Sequence, residues 1–150
     1  MTTLVASAAR TADGNSGALT PLPHPELVRS ARFVLDVTAA ATEAGDTLDV
    51  YVQHTYDGTN YTDLAHFTQI LGNGGAKTFM AEWFRDTSPE TEHRAPQDAA
   101  LAASAVLQGG QIGTSMRVKW VVVDVATTGN QSFTFSVSAD FQLARRRWHR

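Results

Sequence analysis

Apolar and polar side chains alternate along most of this chain, the period of a half-buried β-strand. The clearest early case is Leu48 to Phe67, LDVYVQHTYDGTNYTDLAHF. Leu48, Val50 and Val52 fall on one side, and Asp49, Tyr51, Gln53 and Thr55 on the other. Asp57-Gly58-Thr59-Asn60 then supplies turn chemistry, because glycine accepts positive φ while Asp and Asn bond their own backbone. Tyr61 to Phe67 reads as the returning strand, so a hairpin is expected at the centre of the chain.

Four more stretches read as strands. Arg32 to Ala40 sets Phe33, Leu35, Val37 and Ala39 against Val34, Asp36 and Thr38, and Glu43-Ala44-Gly45-Asp46 turns it into the hairpin. Lys77 to Phe84 follows the breaker Gly72-Asn73-Gly74-Gly75 as a strand rich in bulky side chains. Met116 to Ala126 is apolar on both faces, Val118, Trp120 and Val122 on one and Val121, Val123 and Val125 on the other. A strand of that kind is covered twice. Gln131 to Ala144 alternates most cleanly, with Phe133, Phe135, Val137, Ala139, Phe141 and Leu143 inward and Ser, Thr, Asp and Gln outward.

Two regions depart from the pattern. In residues 1–31, Thr3 to Ala9 alternates weakly as a candidate edge strand, and Pro21, Pro23 and Pro25 then forbid helix or central strand. This segment is expected to be an extended arm with polyproline character. Arg85 to Pro96 is polar and reads as a loop, whereas 96–108 is alanine-rich, with Asp98 near its start and Gly109-Gly110 after its end. Those features predict one short helix. The fold expected is therefore an all-β, antiparallel, jelly-roll-like sandwich over 32–144. It carries a helical insertion, an N-terminal arm over 1–31 and a basic tail over 145–150.

Composition narrows the function classes. At 150 residues the chain fits one domain with a core of its own, and with no cysteine it has neither disulfides nor thiolate metal sites. The net charge is −3, yet the chain ends Arg145-Arg146-Arg147-Trp148-His149-Arg150. An acidic body with a basic tail argues against general nucleic-acid binding and for a tether to some acidic surface. The N-terminus lacks the basic and apolar regions of a secretory signal, and no apolar run approaches the ~20 residues of a membrane span. A soluble protein with no membrane partner is expected.

No catalytic constellation stands out. The five histidines form no HxH or HExxH pair, and only His54 and His66, on the two halves of the hairpin, are candidates to approach each other. Asp57-Gly58-Thr59-Asn60 lacks the later glutamate of a calcium loop, the serines lack a nucleophile elbow, and the glycine run before Lys77 is no phosphate loop. Trp83 and Trp120 sit in apolar strands and read as core rather than a sugar platform. Tyr56 and Tyr61, beside the Asp57 turn, are the better candidates for exposed contacts. No enzyme activity, metal or cofactor is expected.

The order ASAART-x-DGNSG, FVLDVTA, TLDVYVQHTYDGTNYTDLAHFTQI, RVKWVVV and SFTFSVSADFQL resembles the small β-sandwich virion proteins of tailed bacteriophages. Within that group, a chain of this size with extended termini is similar to capsid decoration, or cement, proteins. The insertion at 85–113 and the arginine-rich end depart from the pattern. The resemblance implies a non-enzymatic homo-oligomer, a trimer favoured, that binds the major capsid protein on the outside of the head shell and bridges its subunits. Partner contacts are then expected from Pro21, Pro23 and Pro25 of the arm, Tyr56 and Tyr61 of the hairpin, and Arg145, Arg146, Arg147 and Trp148 of the tail. Two alternatives remain open: a tail or head–tail junction protein, and a carbohydrate-binding host-attachment module.

Overall fold

A computed structural model describes residues 1–19, 24–86, 101–125 and 129–144. Among the described residues nine strands follow in order: β1 Thr2–Arg10, β2 Gly14–Asn15, β3 Val28–Ala39, β4 Thr47–Thr55, β5 Thr62–His66, β6 Ile70–Leu71, β7 Lys77–Phe84, β8 Ser115–Val123 and β9 Phe133–Leu143. A 3-10 turn, Pro25–Leu27, precedes β3. One sheet runs β1-β9-β3-β7 and the other β2-β8-β4-β5, with β6 also paired to β4.

These strands all pair antiparallel, and their nesting defines the topology. The strand β1 pairs with β9, β2 with β8, and β3 with β7, while β4 pairs with β5 over its second half and with β6 over its start. Counting β5 and β6 as one interrupted lane gives two four-lane sheets from a single rolled-up hairpin. That is a jelly roll, as the alternation suggested. The core lies between the sheets. Phe33, Leu35, Phe133, Phe135 and Val137 meet Leu48, Val50, Val52, Leu64 and Val118, and all are at most 1% exposed. Burying each such side chain contributes about 1.5–3 kcal/mol, which is why strict alternation dictates the strand faces.

The chain's beginning is part of the roll. Residues 2–10 form the outer lane beside β9, where Thr3 to Ala9 were expected as a candidate edge strand, and Leu4 and Val5 are buried. Residues 13–19 then run along β8: Val122 N donates to Asp13 Oδ1, Ser16 N to Val118 O and Leu19 N to Met116 O. Arg10 closes this flank. Its guanidinium donates to the carbonyls of Ala6, Ala8 and Phe135 and lies over the rings of Trp120 and Phe135. The following strand starts at Val28, four residues before the boundary expected at Arg32.

The helix expected over 96–108 is a correction. Residues 96–100 lie outside the described residues, and 101–108 are not helical. Ser104 adopts a left-handed φ of 65°, and the backbone beyond it pairs with the free edge of β5. His66 N donates to Ala105 O, and Leu107 N donates to Leu64 O. The same strap then reaches β7, where Gly109 N donates to Phe84 O. Alanine-rich helix propensity of a few tenths of a kcal/mol per residue loses here to two open sheet edges that need hydrogen-bond partners. The strap closes the second flank of the sandwich.

Candidate functional site

The outer face of the β4 sheet carries the densest polar arrangement. It is built by odd-numbered residues of β4 and β8, which the pleat turns away from the core. Register sets Tyr51 between His66 and Lys119, and Gln53 between Asp63 and Arg117. In the first row the rings of Tyr51 and His66 stack at 4.0 Å, and Lys119 Nζ lies 5.6 Å from the Tyr51 ring centre. His66 Nε2 faces Asp49 Oδ1 at 2.9 Å, while its Nδ1 faces Leu101 O at 2.8 Å. Gln69 Nε2 donates to the other Asp49 oxygen. Burial, with Asp49 and Asp63 nearby, pushes the Tyr51 hydroxyl above its ordinary pKa.

In the second row Arg117 Nε donates to Gln53 Oε1 at 2.7 Å, and Gln53 Nε2 donates to Asp63 Oδ1 at 2.6 Å. Leu101 N donates to Asp63 Oδ2, so one residue of the strap uses its N–H and its C=O to anchor on both rows. Arg117 also lies 3.9 Å over the ring of Tyr61. These groups satisfy one another. The rows make a stiff, cross-braced face rather than a set of free catalytic groups.

The same face turns apolar toward its other end. Thr47 is flanked by Leu71 on β6 and Val123 on β8, with Val125 just beyond. Leu71 is 56% exposed, Val123 43% and Val125 62%. The inner side of the β8 stretch meets the core, while on its outer side Val123 and Val125 are exposed among the described residues. On the opposite outer face of the molecule, Met80 and Phe84 of β7 are also exposed, opposite Val34 and Ser30 of β3. A shallow recess of about 230 Å³ there is lined by Ser30, Phe84, Asp140 and Gln142 and spanned by the Arg32–Glu82 ion pair.

The residues singled out from the sequence distribute unevenly. Tyr56 is exposed at the hairpin turn, and its hydroxyl donates to Gln111 O. Tyr61 is half-buried beneath Arg117. Between them the Asp57 carboxylate accepts from Thr55 Oγ1, Thr59 N, Asn60 N and Asn60 Nδ2, and these bonds hold it well below the usual carboxylate range. Pro25 opens the 3-10 turn and is half-buried. Pro21, Pro23, Arg145, Arg146, Arg147 and Trp148 lie outside the described residues.

His54 and His66 do not converge. His54 shares the inward parity of Val50 and Val52, and its Nδ1 accepts from Gly113 N, whereas His66 sits on the outer face. Trp83 is fully buried, and Trp120 is half-buried with its Nε1 donating to Ala12 O. Sequence reasoning missed Leu71, because a two-residue strand shows no alternation. It also missed a group of carboxylates, Glu43, Asp46 and Asp124, that only the loop packing brings together. Among the described residues no helix is long and apolar enough to cross a membrane.

No family model, curated protein or solved structure matches this chain.

Proposed function

We propose that the protein is a non-enzymatic structural component of a tailed-phage virion, a capsid decoration protein on the outside of the head shell. The observation that carries this reading is a pair of exposed apolar sets on opposite outer faces, Leu71, Val123 and Val125 on one and Met80 and Phe84 on the other. A protein that bridges needs two surfaces. In this reading the first set docks on the major capsid protein, and the second meets a neighbouring copy within a trimer. Isolated exposed hydrophobics need no explanation, but exposed apolar side chains grouped on one face mark interaction surfaces. The cross-braced polar rows beside the first set keep it flat and pre-organised, so little ordering entropy opposes docking. Jelly rolls recur in viral capsid and lectin domains, which is a fold-level analogy that supports but does not carry the assignment.

The carbohydrate-binding alternative needs an open aromatic face for a sugar to stack on. Tyr51 is stacked on His66, and Tyr61 lies under Arg117, so these tyrosines suit that reading poorly. The test mixes purified protein with empty shells assembled from the capsid protein encoded alongside it, then sediments the shells and measures bound copies. Saturable binding at one site per shell position, with a trimer by light scattering, is expected. Failure to co-sediment at low and physiological salt removes the decoration assignment.

A further inference from the structure

At one end of the roll, three connections pack together: residues 40–46 between β3 and β4, 72–76 between β6 and β7, and the start of the β8–β9 connection. Asn73 N donates to Ala41 O, and Gly72 N donates to Asp46 O at 2.7 Å. Glycine is needed at 72, because a Cβ there would lie 1.9 Å from Glu43 O. Gly45, at φ 115°, lets the chain turn sharply between Glu43 and Asp46. The result is a pocket of carboxylates. Glu43, Asp46 and Asp124 each place an oxygen within 4.8 Å of the other two.

Acidic side chains gather on many surfaces without consequence, but Asp46 is not on the surface. It is 0% exposed. Its Oδ1 accepts from Val125 N at 3.2 Å, while its Oδ2 is enclosed with no hydrogen-bond partner among the described residues. Asp124 repeats the arrangement: Oδ2 accepts from Gly129 N at 3.0 Å, and the buried Oδ1 is unpartnered. One oxygen of each aspartate is thus fixed by backbone, which aims the carboxylate and leaves the other oxygen for something else. Among the described residues no ion pair to lysine or arginine is formed by Asp46 or Asp124. A buried carboxylate with one oxygen left unpaired is costly to hold, and a second and a third carboxylate beside it repel it.

We propose that Glu43, Asp46 and Asp124 form a divalent-cation site that takes calcium. The donors are all carboxylate oxygens, which selects a hard cation, and neither cysteine nor histidine is in the group to favour zinc. Three carboxylates on two connections can supply an oxygen each in irregular geometry, with water completing the shell. Calcium accepts that, whereas magnesium demands a near-ideal octahedron and keeps most of its own water. The ion ties the β3–β4 connection to the β8–β9 connection, and so clamps an early part of the roll to a late one. The site stands independently of the docking reading.

The test uses the full chain, stripped with chelator and exchanged into calcium-free buffer. Titration calorimetry with calcium chloride is expected to give one site per chain with a Kd between about 10⁻⁶ and 10⁻³ M. At a hundredfold excess of calcium over Kd the unfolding midpoint is expected to rise by about 5–10 °C. The same concentration of magnesium chloride is expected to move it far less. Asp124→Asn keeps the shape, removes one charge, and is expected to weaken binding at least tenfold while the calcium-free midpoint stays level or rises. Glu43→Gln provides a second variant should Asp124→Asn fail to fold. No heat and no midpoint change up to about 10 mM calcium overturns the site. So does undiminished binding by a folded variant, and an equal response to magnesium overturns the assignment to calcium.

Discussion

Gln108 binds the free edge of β7 at Phe84 as a neighbouring strand would. Its Oε1 accepts from Phe84 N at 2.8 Å, and its Nε2 donates to Glu82 O at 2.7 Å. With Gly109 N donating to Phe84 O, a side-chain amide and one peptide group stand in for the missing fifth lane of that sheet. An open edge is a template for unwanted pairing, and this strap covers it.

Replacing Gln108 with alanine is expected to cost about 1–2 kcal/mol, because two hydrogen bonds are lost from a partly solvated edge. Urea unfolding measures the loss, and hydrogen exchange localises it. The Phe84 amide should exchange faster in the variant while amides at the centre of β3 keep their protection. Unchanged exchange at Phe84 would show that the strap does not guard the edge.

Much of this architecture was legible in the sequence, and the parts that were not share a cause. Strands β3, β4, β5, β7, β8 and β9 announce themselves because one face of each is buried, so Val50 or Phe135 has a polar neighbour on either side. The strap does not, because its backbone is recruited by open edges of β5 and β7 that are distant in sequence. Its Ala105 and Leu107 carry helix propensity and nothing that reveals those edges. Pairing of β1 and β2 with β9 and β8 was hidden in the same way, since weak alternation cannot say which strand lies beside it. Of the two tyrosines expected as exposed contacts, Tyr56 is exposed and Tyr61 is half-buried. Leu71 and the Glu43–Asp46–Asp124 group depend on loop packing alone.

Removing residues 1–10 is expected to destabilise the whole domain rather than trim a loose end. Leu4 and Val5 are buried, and burial of two aliphatic side chains is worth about 3–6 kcal/mol in total. That is comparable to the entire stability of many domains, roughly 5–15 kcal/mol. The truncation also bares the edge of β9 and releases the Arg10 contacts to Trp120 and Phe135. Thermal unfolding of full-length and truncated chains, with turbidity followed in parallel, checks this. Equal midpoints would place the strand outside the cooperative unit.

The Asp57 turn predicts a pH dependence of definite sign. Hydrogen bonds from Thr59 N, Asn60 N and two side chains favour the ionised carboxyl, so its native pKa lies below the unfolded value of about 3.9. Its contribution is therefore complete above that value and is lost as pH falls through the lower native one. Asp57→Asn can still accept from the two backbone amides but carries no charge to titrate. Urea midpoints compared from about pH 6 to about pH 2 should show a gap between parent and variant that narrows with acidification. A constant gap across the series would mean that the charge is irrelevant to the turn.

The docking assignment makes the sharpest demand on Val123. It is 43% exposed, and its strand neighbour Thr47 separates it from Leu71, so a carboxylate introduced there disturbs no core contact. Surface substitutions of that kind usually change stability by no more than about 0.5 kcal/mol. A charge at the centre of an apolar interface is different, since docking must strip its water with no partner supplied. Val123→Asp is therefore expected to leave the unfolding midpoint within about 2 °C of the parent and to weaken shell binding at least tenfold. Leu71→Asp should behave alike, and Ser138→Asp, on the polar outer face of β9, should bind as the parent does. The tail enters the same experiment, because replacing Arg145, Arg146 and Arg147 with alanine should flatten the salt dependence of binding if those guanidiniums grip acidic groups on the shell. If Val123→Asp and Leu71→Asp both decorate shells as fully as the parent, this end of the sheet is not the docking face.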